Sequence, residues 1–278
     1  MPASPSFSVV ILTLNEECNL PGCLDSIRSC DDIVVLDSGS TDRTLEFARK
    51  AGARVITRPF TNFADQRNHA PSAAGFRHPW VFHLDADERF TPELFAECAG
   101  VAADAPFDGY YAAPKMIFDG RWLRHCTDYP AWQARFVRPA SFQFIQAGHG
   151  QREAPGMRMG HLQSPYLHDI SVTDLAVWER KHRRYAREEV AGHAALHTSA
   201  WPEFRRALSS AGVERRRALK RLSFALPFRP AMRLIYQYLL RGGLLDGRAG
   251  WRYCLLQSRY EGFISEELCR VAKNARQP

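Results

Sequence analysis

The chain lacks the features that would make it a zinc-knuckle, disulfide-stapled or membrane-spanning protein. Its seven cysteines (Cys18, Cys23, Cys30, Cys98, Cys126, Cys254 and Cys269) form no CxxC pair and are odd in number. That argues against zinc knuckles and a complete disulfide framework, and for free thiols in a reducing compartment. Long apolar runs are also missing: the late run Leu234 to Leu240 is interrupted by Gln237 and ends at Arg241, far short of the ~20 residues a membrane span needs. No signal peptide is expected, because strand-type sequence starts directly after Met1-Pro-Ala-Ser-Pro. There is no internal repeat, low-complexity linker, zinc finger or RNP motif, so no nucleic-acid partner is expected.

What is present suits a core-bearing protein. The 278 residues are 45% apolar and 24% charged, enough for one large domain or a domain with a substantial appendage. Charge divides unevenly. Residues 1–150 hold 14 Lys and Arg against 18 Asp and Glu, a net of −4. The remainder hold 23 against 12, a net of +11, which together give the overall +7. An acidic front half and a basic back half suggest two jobs.

The front half carries three acidic stretches, each after an apolar run of strand type. Val9-Val10-Ile11 leads into Leu12-Thr-Leu-Asn-Glu-Glu17, Ile33-Val34-Val35 into Leu36-Asp-Ser-Gly-Ser-Thr-Asp42, and Val81-Phe82-His83 into Leu84-Asp-Ala-Asp-Glu88. In an open α/β sheet the ligand crevice lies outside the carboxyl ends of the strands. A crevice lined by Glu16, Asp37, Asp85 and Asp87 repels phosphate unless a cation bridges them, so the pattern calls for a divalent metal and a diphosphate-linked substrate.

Helical spacing of Leu20, Leu24 and Ile27, a helix capped by Thr41 or Asp42 and running through Leu45 and Ala48 to near Gly52, and a strand at 54–57 give β-α-β-α-β within sixty residues. Parallel strands with right-handed crossovers follow. Thr91-Pro92-Glu93 is a helix start. Strand signals recur at Tyr110-Tyr111, Met116-Ile117-Phe118 and Arg135-Phe136-Val137, and from Leu175 the pattern turns helical and basic, broken by Pro202, Pro227 and Pro230. The expected division is a catalytic domain over 1–172 and a basic, mainly helical region over 173–278.

Of Asp85 and Asp87, one can bind a hard cation and the other sugar or ribose hydroxyls, since Mg²⁺ takes one or two carboxylates plus substrate phosphates; alone, the pair could equally be an acidic loop. Asp37 suits a base or ribose edge, whereas Thr41 and Asp42 suit a helix N-terminal cap. Arg67 could face a phosphate and Asn68 the nucleotide loop, or both could lie on a solvated helix face.

The ordered set Leu14-Asn15-Glu16, Asp37 to Asp42, Arg67-Asn68 and Asp85-Ala-Asp87 resembles the inverting glycosyltransferases of family 2, which have the GT-A fold. Later segments are similar to bacterial lipopolysaccharide-core glucosyltransferases: Tyr129-Pro130, Gln133-Ala-Arg135-Phe136, Gly148 to Glu153, Leu167-His168, Lys181 with Arg184-Tyr185-Ala186, and Gly243 to Gly247 with Gly250. One departure stands out: close relatives often read Val-His-Glu at the acceptor carboxylate, and here the glutamate follows Gly-Gln-Arg.

The resemblance implies an α/β GT-A sheet flanked by helices and a nucleotide-sugar donor, UDP-glucose being the first to test. Leu14, Asn15, Glu16, Asp37, Arg67, Asn68 and Asp85 would hold the nucleotide sugar, and Asp87 would hold Mg²⁺ or Mn²⁺ on the diphosphate. Glu153 is the candidate general base, with Asp128 the alternative and an ion pair of Glu153 with Arg152 or Arg158 the structural reading. His149 and His168 are further metal-shell candidates. The acceptor is expected to be a glycolipid or saccharide, such as lipopolysaccharide core, reached from the cytoplasm at the inner face of a bacterial inner membrane. Docking on an anionic membrane surface would use Arg215, Arg216, Arg217, Lys220 and Arg221 with interleaved apolar anchors (Trp201, Phe204, Leu222, Phe224, Leu226, Phe228, Tyr236). A transferase for another polysaccharide, or a catalytically inactive sugar-nucleotide binder, would share these motifs.

Overall fold

A computed structural model describes residues 7–102, 106–147, 150–194, 224 and 227–274. Of the features named above, His149, the basic run Arg215 to Arg221 and the anchors Trp201, Phe204, Leu222 and Leu226 lie outside the described residues. The chain divides into two packed units. One ends at Ile117 and resumes over Asp128–Ile170; the other joins Phe118–Thr127 to the residues from Ser171 onward.

The first unit opens with β1 (Ser8–Thr13), α1 (Leu20–Ser26), β2 (Ile33–Asp37), α2 (Thr44–Lys50), β3 (Arg54–Thr57), α3 (Phe63–Ala74) and β4 (Val81–Asp85). It continues through β5 (Glu88–Arg89), α4 (Pro92–Val101), β6 (Gly109–Ala112) and β7 (Pro114–Phe118). After β8 (Arg121–Trp122) in the other unit come β9 (Gln133–Val137), β10 (Phe144–Ala147), β11 (Gly150–Glu153), β12 (Met159–His161) and β13 (Tyr166–Asp169). The expected β-α-β-α-β start is met, and so is the helix start at Thr91, whose side chain accepts the Leu94 N–H at 3.2 Å.

Seven strands form one sheet in the order β12-β6-β9-β4-β1-β2-β3. The β1–β2, β1–β4, β2–β3 and β12–β6 pairs are parallel, and β9 runs antiparallel to both β4 and β6. This is the mostly parallel, helix-flanked sheet expected of a GT-A fold. Apolar residues cover both faces because alternate side chains point opposite ways along a strand. Val9, Ile11, Val35, Phe82 and Leu84 join a cluster with Leu20, Leu24, Ala48 and Leu94 of the helices on one face. Val10, Val34, Leu36 and Val81 pack against Ala70 and Ala74 of α3 on the other. Trp80 stacks on Phe136 with ring centroids 4.9 Å apart, filling the first cluster.

In the second unit α5 (Leu175–Ala194) packs Ala186 and Val190 against Phe263 and Ile264 of a long terminal helix. That helix, α7 (Gly247–Asn274), follows α6 (Arg229–Leu234), a π-helical turn over Ile235–Leu240 and a 3-10 turn over Gly243–Asp246. A turn at Pro227-Phe228 precedes α6, and Pro230 sits in the first turn of that helix, where a missing N–H costs nothing. Asp246 is 2% exposed and accepts the N–H groups of Arg124, His125 and Cys126. A Cβ at Gly250 would strike the Gly243 carbonyl, so only glycine permits that approach.

Candidate active site

Parallel register fixes the site. Thr13 lies opposite Asp37 and Leu12 opposite Asp85, so the loops after β1, β2 and β4 leave one edge of the sheet side by side. The first two loops are tied together. Asn15, in the left-handed region at φ 56°, accepts the Thr41 N–H at 2.8 Å and donates its own N–H to Ser40 Oγ at 2.8 Å. The Glu16 N–H donates to Thr44 Oγ1 at 2.8 Å. Leu14 stands 52% exposed beside them.

Asp37 is fully buried. One oxygen accepts from Thr13 Oγ1 at 2.8 Å and from Ser40 Oγ at 2.5 Å, and the other from the N–H groups of Gly39 and Ser40. Its carboxylate therefore shapes the loop. The N-cap position of α2 is Arg43 where Thr41 or Asp42 was expected; Asp42 shapes the turn before it, its oxygen accepting the Thr44 N–H at 2.9 Å. Burial pushes the Asp42 carboxyl up, but the bonds from Thr44 and the Glu17 N–H outweigh this and hold it below the usual range.

The third loop carries a buried charge network. Arg67 is 1% exposed and donates from Nη2 to Asp85 Oδ1 at 2.7 Å. Arg135, 2% exposed, donates from one nitrogen to Asp85 Oδ2 at 3.1 Å and to Glu88 Oε1 at 2.6 Å, and from another to the His83 carbonyl. Glu88 Oε2 accepts the Asp85 N–H at 2.8 Å. The solvated-face expectation for Arg67 is thus overturned: this side of α3 lies against the sheet and a carboxylate.

Burial pushes the Asp85 carboxyl up, and the two guanidinium charges pull it well below the usual range. The fully enclosed Glu88 is pushed up by burial to about 7, against the pull of Arg135. Burial and the charges of Arg67 and Arg135 hold His83 neutral.

Asp87 projects beyond this network with its side chain 37% exposed, and His168 Nε2 on β13 lies 3.2 Å from it. Burial lowers the His168 imidazole, but the bond and charge of Asp87 outweigh that and hold it above its ordinary value. Among the described residues no group of three or more His, Cys, Asp or Glu is arranged to hold a metal. An exposed carboxylate next to an imidazole fits a sparse cation site completed by substrate phosphates, the kind Mg²⁺ takes.

Asn68 is placed elsewhere. Its amide donates to the Phe144 carbonyl at 2.8 Å and accepts the Phe144 N–H at 2.9 Å, so it anchors β10 where a contact with the nucleotide loop was expected. Phe144 packs edge-on to His83 and pairs across the hairpin with Glu153. Directly paired residues of an antiparallel ladder share a face, which sets Glu153 one strand away from the packing around His83. The Tyr111 phenol lies beside the Glu153 carboxylate, and burial together with that charge pushes it up to about 12. Among the described residues no ion pair holds Glu153; Arg158 pairs with Asp108 at 3.5 Å. Asp128 is exposed, next to the cis Tyr129–Pro130 peptide.

Sequence reasoning assigned no role to Arg135, Glu88 or Tyr111. A charge inside the apolar strand Ala134-Arg135-Phe136-Val137 was the readable signal for the first. For Tyr111 there was none, since its partner is 42 positions away.

A glycosyl transferase family 2 profile matches residues 8–160, which take in the loops after β1, β2 and β4. The chain belongs to glycosyl transferase family 2. Curated relatives agree. The lipopolysaccharide core biosynthesis glycosyltransferase LpsC of Rhizobium meliloti is 36% identical over 134 residues, 42% of this chain and 49% of that one. A PGL/p-HBAD biosynthesis glycosyltransferase of Mycobacterium bovis is 40% identical over 126 residues, 42% and 46% of the two chains. An uncharacterized glycosyltransferase of Rickettsia typhi is 34% identical over 106 residues, 38% and 36%. The match spans about a third to a half of these relatives' length. Among solved structures, mannosyltransferase PcManGT from Pyrobaculum calidifontis, in complex with GDP-Man and Mn2+, gives a TM-score of 0.49 at 16% identity over 95% of this chain and 87% of that one.

Proposed function

We propose that this family 2 chain moves a hexose from a nucleotide-diphosphate sugar to a hydroxyl of a cell-surface glycolipid or saccharide, with inversion at the anomeric carbon. The observation that carries the reading is the strand edge where Asp85 is clamped by two buried arginines and Asp87 stands free of them. The tied loops with Leu14, Asn15, Glu16 and the Asp37 turn would hold the nucleoside, Asp85 a ribose or sugar hydroxyl. Asp87, with His168 beside it, would hold Mg²⁺ or Mn²⁺. When bound, the cation neutralises charge that grows on the leaving nucleoside diphosphate.

The acceptor hydroxyl is a weak nucleophile and needs a base. Glu153 takes that role in the proposal, since among the described residues no arginine pairs with it, and Asp128 is the alternative. The relative named for lipopolysaccharide core biosynthesis supports a glycolipid acceptor; the proposal places the protein at the cytoplasmic face of the inner membrane and takes UDP-glucose as the first donor to test. A thermal-shift screen of nucleotide sugars with Mn²⁺, followed by transfer to core oligosaccharide acceptors, tests it. A donor that stabilises the protein and is turned over supports the reading; no stabilisation by any nucleotide sugar overturns it.

A further inference from the structure

The second unit exposes an apolar stripe that its own packing does not need. Phe228 (82% exposed), Met232, Ile235, Tyr236, Leu239 and Leu240 (76% exposed) recur three or four residues apart along α6 and the π-helical turn, so they share one face. Leu244 and Leu245, 47% and 59% exposed, carry the patch into the 3-10 turn. The opposite side is fixed: Gln237 donates to the Cys126 carbonyl at 3.0 Å and Arg229 pairs with Glu261 at 2.6 Å. The stripe is therefore held outward on an anchored support. Monomeric proteins rarely leave so contiguous a patch in water.

Charge selects the occupant. From Phe228 to Arg252 there are five arginines and one acid, Asp246, which is buried under backbone N–H groups; Arg229 is buried against Glu261 and Arg252 pairs with Asp119, so the cationic border is carried by Arg233, Arg241 and Arg248. A second copy docked by the same face would bring like charges together, whereas a bilayer with anionic headgroups meets both the apolar stripe and its cationic border. No described helix is long and apolar enough to cross a membrane, so the element would lie in the interface plane.

We infer that Phe228 to Leu245 is an in-plane insertion element that seats the protein on an anionic lipid surface. This rests on the glycolipid-acceptor reading above and gives it a physical contact distinct from the run Arg215 to Arg221. The test is flotation of the full chain with phosphatidylglycerol-containing and pure phosphatidylcholine vesicles, at low and high salt, for wild type and for the triple variant Phe228→Ser, Leu239→Ser, Leu240→Ser. Wild type should bind anionic vesicles and keep a salt-resistant fraction. The variant should lose at least tenfold in partitioning, with an unchanged melting temperature and unchanged donor hydrolysis in solution.

Equal binding by variant and wild type overturns the inference, and so does complete loss of wild-type binding at high salt. A wild-type dimer that the variant loses, with no vesicle binding, overturns it in favour of self-association. If the variant melts earlier, Leu240→Ser alone decides by the same readouts. Failure of wild type to use any nucleotide sugar would sink the proposed function while leaving vesicle binding to be read by itself.

Discussion

Arg67 and Asp85 form an ion pair at 2.7 Å in which the guanidinium is 1% exposed while the carboxylate side chain remains 32% exposed. The pair thus has one foot in the core of the sheet and one at its working edge. Arg67→Met should destabilise the protein by about 3 kcal/mol, the low end for breaking a buried pair, because Asp85 keeps Arg135. Arg67→Lys keeps the charge that meets Asp85 through one nitrogen and should recover part of the loss. Urea unfolding measures both; a loss under ~1 kcal/mol would show that the pair adds nothing measurable.

In the proposed function Asp87 holds the cation. Asp87→Ala should abolish transfer and remove the stabilisation that Mn²⁺ and a nucleoside diphosphate give together, leaving the ligand-free melting temperature unchanged. Thermal shift with and without chelator reads this. Equal turnover by the variant would remove Asp87 from the cation site.

Glu153→Gln keeps size and most hydrogen bonding but cannot take a proton. Turnover should fall by ~10²–10⁴, with donor affinity little changed, as expected when a base acts on the acceptor. Near-normal turnover would move the test to Asp128.

Asp32 supplies the pH prediction. Burial pushes its carboxyl up, but bonds from Ser8 Oγ, the Arg77 N–H and the Arg54 guanidinium outweigh this and hold it below the usual value. A depressed carboxyl contributes stability that is complete above the unfolded value of about 4 and is lost as pH falls through the lower folded value. Melting temperature between pH 6 and 2 should therefore drop less steeply for Asp32→Asn than for wild type. Parallel curves would mean that Asp32 titrates as it does unfolded.

The front of the fold was legible because its signals are local. Strands of Val and Ile followed by acidic turns announce themselves within ten residues, and Thr91-Pro92 carries its cap in the sequence. The placement of Asp85 and Asp87 where β4 ends was legible for the same reason. For Arg67 and Asn68 the sequence left two readings open, since whether a polar helix side chain meets water or a protein partner is decided by β4 and β10, which are distant in sequence. Tyr111 was invisible for that reason.

The bonds that join Asn15 to Thr41 and Ser40 are made within the protein's own two loops. Loops that are already tied have little motional freedom left to surrender, so a nucleotide entering that edge should be captured without waiting for a closing event. Its association rate would then follow diffusion and ionic strength, and differences in affinity among donors would appear as differences in how long each one stays.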